Sequence, residues 1–500
     1  MVCPLEVPEK IRYNSEDNGR GVTRPNTGME RMIFPMERRN AWKGRTAEEL
    51  EAIEAMSRDY RAYIDEGKTE RECVRASERL AQAKGFDDLA ARVREGRALK
   101  AGDRVYRCWM NKCFVAFIMG RRPMSEGMNI LGAHIDSPRI DVKQNPLYEE
   151  DGFAYLDTHY YGGIKKYQWL AMPLALHGVI VKKCGETVSV AIGESEGDPV
   201  FCITDLLPHL AADQMGKSAK ELIDGDALNL LVGGQPLEGE EKEAVKARVL
   251  AVLAEKYGVE EEDFLSAELE AVPAGRAREL GFDRSMIIAY GHDDRVCAYP
   301  SLAALLDTEG TPDYTLCCVL TDKEDIGSVG ATGMNSRFFE NIVAEVCALS
   351  GEPGDLALRR ALSASRMLSS DVSAGFDPAF AGVFEKKNAA FLGRGVCFNK
   401  FTGSRGKSGS NDANAEFIGA LRAIMDGAGV AFQTAELGRV DVGGGGTIAY
   451  LCARYGMNVI DSGIPVLSMH APWEVISKVD LYEGYRCYRA FLDGARPVEG

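Results

Sequence analysis

Thr321-Asp322-Lys323-Glu324-Asp325-Ile326-Gly327-Ser328 follows the apolar run Leu316-Cys317-Cys318-Val319-Leu320. A continuous apolar run of that length, closed by polar residues and glycine, reads as a strand buried on both faces. In open α/β sheets, ligands bind beyond the C-terminal ends of such strands. Two adjacent carboxylates, Glu324 and Asp325, fall there. Neighbours on an extended segment point opposite ways, so one can take a metal while the other faces a water. Taken alone, such a pair reads more simply as a solvated acidic turn. The rest of the chain decides between the two.

The chain has 500 residues, more than one ordinary domain. It is 45% hydrophobic and 27% charged, the composition of a soluble globular protein. A formal charge of −16 disfavours nucleic acid or an anionic membrane as partner. No run of 18 apolar residues exists, so no membrane span is expected. Residues 1–19 are polar, are broken by Pro4 and Pro8, and lack the apolar core of a signal peptide. The 13 cysteines are scattered, several within apolar runs, which reads as reduced thiols in a cytoplasm. Cys108 and Cys113 have a spacing found in zinc knuckles, but no second pair follows, so they read as structural.

Outward from the opening stretch, strand and helix signals alternate. Residues 1 to about 45 look irregular, and 46–100 largely helical, with Thr46-Ala47-Glu48-Glu49 resembling a capping box. Residues 104–119 and 128–133 read as strands, the second leading into His134-Ile135-Asp136-Ser137-Pro138. Strands are expected at 286–290, 366–370, 431–436, 457–460 and 465–469, and helices at 296–306, 413–425, 447–455 and 474–492. This is a doubly wound pattern. Between residues 142 and 284 the character changes to aromatic-rich and alternating, the signature of an inserted β-rich unit. The expected organisation is a discontinuous α/β domain over 1–141 and 285–500, built on a doubly wound mixed sheet, with 142–284 inserted.

Five predicted strand ends carry histidine or carboxylate: His134, Asp293, Glu324-Asp325, Asp371 and His470. The chain has only six histidines, so two of them at such ends is informative. Two imidazoles and three carboxylates suit a pair of Zn²⁺-like ions, one carboxylate bridging. Such ions, roughly 3.5–4 Å apart, polarise a carbonyl and generate a hydroxide between them. A further carboxylate must then take the proton. Asp136, two residues after His134, is placed to fix the imidazole. Gly406-Lys407-Ser408 mimics a phosphate loop, but that pattern needs glycine where Phe401 stands.

His134-Ile135-Asp136-Ser137-Pro138, His292-Asp293-Asp294, Glu324-Asp325-Ile326-Gly327-Ser328, Ser370-Asp371 and Leu467-Ser468-Met469-His470 together resemble the ordered motifs of the aspartyl aminopeptidase family, metallopeptidase family eighteen. Tyr161-Gly162-Gly163, Pro208-His209-Leu210-Ala211 and Gly445-Gly446-Thr447-Ile448 extend the match over roughly residues 100–495, closer to the bacterial aminopeptidase 1 branch. The resemblance implies a zinc peptidase domain interrupted by a β-rich dimerisation domain. It implies an aminopeptidase with two divalent ions per subunit, zinc first, cobalt or manganese as alternatives. His134 and Asp371 would hold one ion, Asp325 and His470 the other, with Asp293 bridging. Glu324 would be the general base, with Asp136 supporting. His209 would reach a neighbouring subunit's active site. Lys400, Lys407 and Gly445 are the substrate-side candidates. Partners would be peptides with a free N-terminus and further copies of the chain, as dimers built into a dodecamer. Two positions depart from the family pattern: Asp325 stands where eukaryotic members have Glu, and Asp294-Arg295 replaces Asn-Leu. A related dinuclear carboxypeptidase or deacylase, or a metal-dead assembly protein on the same fold, are the competing readings.

Overall fold

Cys113–Ile118 and Thr315–Thr321 contain no exposed residue. Strands covered on both faces sit in the middle of a sheet, and both do so in the computed structural model, which describes residues 38–403 and 405–498. The expected irregular N-terminal stretch lies, up to residue 37, outside the described residues.

The main sheet has nine strands. Its centre is four parallel strands, in the order Thr315–Thr321, Met128–His134, Arg366–Ser370, Asn458–Gly463. Antiparallel neighbours, Cys113–Ile118 on one side and Val396–Asn399 on the other, make the sheet mixed. Side-chain alternation sends Phe114, Ala116 and Ile118 toward one helical layer, with Leu302, Leu305 and Phe491. Cys113, Val115 and Phe117 go to the other, with Phe338, Ile342 and Val343. Each fully buried Leu, Ile or Phe contributes about 1.5–3 kcal/mol of transfer free energy. Two helical layers over a parallel centre therefore account for the unbroken apolar runs. The helix Ala47–Glu66 starts as expected: Thr46 Oγ1 accepts from Glu49 N–H, and the Glu49 carboxylate accepts from Thr46 N–H.

Between these strands the chain builds a second sheet of six antiparallel strands. Its order is Thr187–Ile192, Leu174–Val181, Ala267–Pro273, Arg139–Glu150, Phe153–Tyr161, Leu230–Gly233. It has its own apolar core, against which the helix Ala244–Tyr257 packs. A third, three-stranded sheet joins Arg278–Leu280, Met286–Ala289 and Glu474–Ser477.

Several expected elements change. The segment expected as one strand over 104–119 is a hairpin, Arg104–Trp109 and Cys113–Ile118, turned by Met110 and Asn111 at positive φ. The closing helix begins at Lys478, because Glu474–Ser477 is claimed by pairing with Met286–Ala289. The helix after Gly291 begins at His292, so Asp293 sits in a distorted first turn, not at a strand end. His470 likewise lies in a turn, at φ 64°, beyond the short strand Pro465–Val466. Helical and strand periodicity read alike over a few residues, and here tertiary pairing decided.

The two large sheets are tied by a buried ion cluster. His177 of the second sheet places Nδ1 2.9 Å from Glu72 Oε1, on the helix Glu70–Ala83, and Nε2 3.3 Å from Glu194 Oε1. Burial opposes charge on this imidazole, but Glu194 and Glu72 outweigh it and push it up to about 9. The unfolded value is about 6.5. The stabilisation is therefore complete below about pH 6.5 and is lost as pH rises through about 9. Thermal unfolding of the protein and of His177→Gln across this range is expected to show a gap in Tm that is widest at pH 6 and closes by pH 10. A gap independent of pH would refute the charged state of His177.

Candidate metal centre

The parallel register brings the predicted residues to one edge. Thr321 pairs with His134, and Ser369 with Gly132, so three neighbouring strands end together. Beyond Thr321 the chain makes a single turn, Glu324–Ile326, between Lys323 and Gly327, both at positive φ. Gly291, at φ 74°, starts the turn that delivers Asp293. Gly291 also runs close to Ser137 and Arg295, where a Cβ would collide with the guanidinium.

Asp293 occupies the middle of the cluster. Its Oδ1 lies 3.2 Å from His134 Nε2 and its Oδ2 3.1 Å from His470 Nε2. Asp371 Oδ1 and Glu324 Oε2 each lie 3.9 Å from His134 Nε2. Asp325 Oδ1 is 3.6 Å from His470 Nε2. His134 Nδ1 faces the Asp136 carbonyl at 3.1 Å, and His470 Nδ1 faces the Gly163 carbonyl at 2.9 Å. A carbonyl only accepts, so in both rings Nδ1 carries the proton and Nε2 is presented to the carboxylates. That is the orientation a metal-binding imidazole requires.

Asp136 organises the rest. Its carboxylate accepts from Tyr161 Oη–H at 2.8 Å, from Glu324 N–H at 3.1 Å and from Asp325 N–H at 3.2 Å. With its Oδ1 also 3.3 Å from His134 Nδ1, one buried side chain orients His134 and holds the Glu324-Asp325 turn. Its carboxyl stays below the usual range despite burial, because His134 and Tyr161 hydrogen-bond the charged form.

The residues fit a divalent cation. His134 Nε2 and Asp325 Oδ2 are buried without hydrogen-bond partners. Leaving such atoms unsatisfied costs about 1–3 kcal/mol each. Three sets have ligand atoms within 4.8 Å of one another: His134/Asp294/Asp371, His134/Asp136/Asp325 and Asp293/Asp325/His470. Nitrogen and carboxylate donors of this kind suit zinc and its neighbours. Burial, and then repulsion from neighbouring carboxylates, pushes the Asp325 and Asp371 carboxyls well up. Burial raises Glu324 to about 7, aided by Asp136 and Asp293 and opposed by His134. So much like charge in one buried place calls for cations to neutralise it.

The cluster opens into a cavity of about 590 Å³. Its walls include Val372, Phe384, Leu437 and Met469, and the glycines 443–446, Gly445 among them. Lys400 and Lys407 are not on its lining: both turn to Asp412, which sits in their own loop. His209 is exposed in a short turn, Pro208–Leu210, of the second sheet's unit and does not line the cavity of its own chain. The sequence reading assigned no role to Tyr161 or Glu474. Glu474 accepts from the backbone N–H of both Asp293 and His470. Its only signal in the sequence is its place four residues after His470.

The family model described as Aminopeptidase I zinc metalloprotease (M18) matches residues 63–492. A curated relative from Clostridium acetobutylicum, named a probable M18 family aminopeptidase 1, is 53% identical over 458 residues, covering 91% of this chain and 98% of its own length. The crystal structure of an M18 aminopeptidase from Thermotoga maritima is 44% identical and superposes with a TM-score of 0.88, covering 92% of this chain and all (100%) of its own. The S. cerevisiae mApe1 dodecamer, at 20% identity and a TM-score of 0.72, covers 88% of this chain and 97% of its own and shares the fold. With the family model spanning residues 63–492 and relatives this similar over most of the chain, the protein belongs to the M18 family of zinc aminopeptidases, on its bacterial aminopeptidase 1 side.

Proposed function

We propose that the chain removes N-terminal amino acids from peptides, using two divalent cations held by the edge cluster. The observation that carries this reading is Asp293, with one carboxylate oxygen on each of the two imidazoles. His134 and Asp371 would hold one cation, Asp325 and His470 the other, and Asp293 both. When bound, such a pair supplies positive charge that polarises a carbonyl and lowers the pKa of water.

The protein's own groups then direct protons and substrate. Glu324, its carboxyl near neutrality, is poised to take a proton from water and return it to the leaving amine. Asp136 fixes the backbone of Glu324, so the base keeps its distance from the cluster. The acidic groups lining the cavity suit a substrate's free amine. Among the described residues no Lys or Arg lines it, whereas a C-terminal carboxylate would need one. This favours the aminopeptidase over a carboxypeptidase. The same lack leaves an acidic side chain without a cation inside one chain.

The six-stranded unit is proposed as the subunit interface. Its exposed turn carries His209 between Leu207 and Leu210, with Met215 close behind; Leu210 and Met215 are 68% and 72% exposed. Apolar side chains so exposed mark a contact surface. The proposed assembly is a homo-oligomer; the yeast mApe1 structure of the same fold is a dodecamer.

Three experiments test the reading. Glu324→Gln is expected to lower kcat by about 10²–10⁴-fold while retaining metal by elemental analysis; near-normal turnover would sink the base assignment. Asp293→Ala should strip most of the metal and Asp294→Ala should keep it. The reverse result would move the bridge by one residue. Mixing inactive His209→Ala with inactive Glu324→Gln under subunit exchange should restore activity in hybrids that pair an intact His209 with an intact Glu324. Mixed oligomers without recovery would mean that each active site is complete within one chain.

A further inference from the structure

Asp293 and His470 face each other across the middle of the metal cluster, yet neither sits in regular structure. Asp293 has φ −76° and ψ 108° within a distorted first helical turn. His470 has φ 64° in a turn. Neither backbone N–H therefore has a ladder partner. Both donate instead to one side chain: Glu474 Oε2 accepts from Asp293 N–H at 2.9 Å and Glu474 Oε1 from His470 N–H at 2.7 Å.

Glu474 is 1% exposed and is the first residue of the strand Glu474–Ser477. That strand pairs with Met286–Ala289, Glu474 standing opposite Ala289, four residues before Asp293. Both ends of the carboxylate clamp are thus referenced to one small sheet. A buried carboxylate without a side-chain cation is costly. Here both its oxygens are satisfied by backbone donors, and both donors belong to proposed metal ligands.

We propose that Glu474 is a positioning residue of the metal centre, setting the spacing between the Asp293 carboxylate and the His470 imidazole. The inference rests on the dinuclear reading above. It places the effect unequally. Glu474 holds the shared Asp293 and, on one side only, His470, whereas His134 is oriented by Asp136 and Asp371 follows the strand Arg366–Ser370. A glutamine keeps the shape but only one acceptor. One of the two N–H groups must then face an NH₂ group, whichever way the amide turns.

The test uses full-length protein stripped with a chelator and titrated with Zn²⁺ against a chromophoric competitor. The wild type is expected to take two ions per chain. In Glu474→Gln one of the two should weaken by about 10–100-fold, while the other changes much less. Two sites both within twofold of wild type, in a variant with unchanged Tm when metal-free, would overturn the proposal. So would equal weakening of both sites. If the variant does not fold, hydrogen exchange on metal-free wild type reads the clamp directly: the Asp293 and His470 amides should be strongly protected. Exchange at the rate of an open loop would refute it. Failure of the wild type itself to bind two ions would instead overturn the dinuclear reading on which this one stands.

Discussion

Concentrated buried negative charge at one sheet edge is the constraint on which the rest of the structure depends. Asp136, Asp293, Asp294, Asp325 and Asp371 lie together around the imidazoles of His134 and His470. Carboxylates this close and this buried are driven toward protonation unless positive charge joins them. Folding alone gains nothing from such a cluster. It persists because hydrophobic burial elsewhere supplies the stability, and a metal ion held there would offset the repulsion.

The parallel centre of the main sheet makes the cluster geometrically possible. Its neighbouring strands end at the same height, which brings His134, Asp371 and the Glu324-Asp325 turn together, while Asp293 and His470 enter from turns. The groups that need finer placement are held by hydrogen bonds to buried carboxylates. Asp136 holds the Glu324-Asp325 turn, and Glu474 holds Asp293 and His470. Tyr161, from the end of a second-sheet strand, locks Asp136. The second sheet's segment thereby reaches the site through the Tyr161 hydroxyl and through the Gly163 carbonyl that His470 Nδ1 faces, besides its ion cluster at His177.

Much of this was legible in the chain. Long apolar runs such as residues 316–320 can be buried only between two layers, and their polar ends mark the ligand edge. The scarcity of histidine made His134 and His470 stand out. The second sheet's strands lie between Arg139 and Pro273, a stretch in which the periodicity changes. Less legible were short elements whose state depends on a distant partner. Glu474–Ser477 continues a helical pattern into the closing helix, yet pairs as a strand with Met286–Ala289. Nor does the sequence pair Lys400 and Lys407 with Asp412 in their own loop.

The sequence by itself determined the residue types and their order along the chain: apolar strands, glycines where the turns need positive φ, and the histidines and carboxylates just past the strands. These follow from local propensity and from burial, which act over a few residues. Only the tertiary structure decided which carboxylate faces both imidazoles, which buried acid serves as a clamp and which lysines are neutralised before they reach the cavity. Hydrogen bonds and charge pairs are fixed by distances of a few ångströms between segments hundreds of residues apart, and no local pattern encodes them.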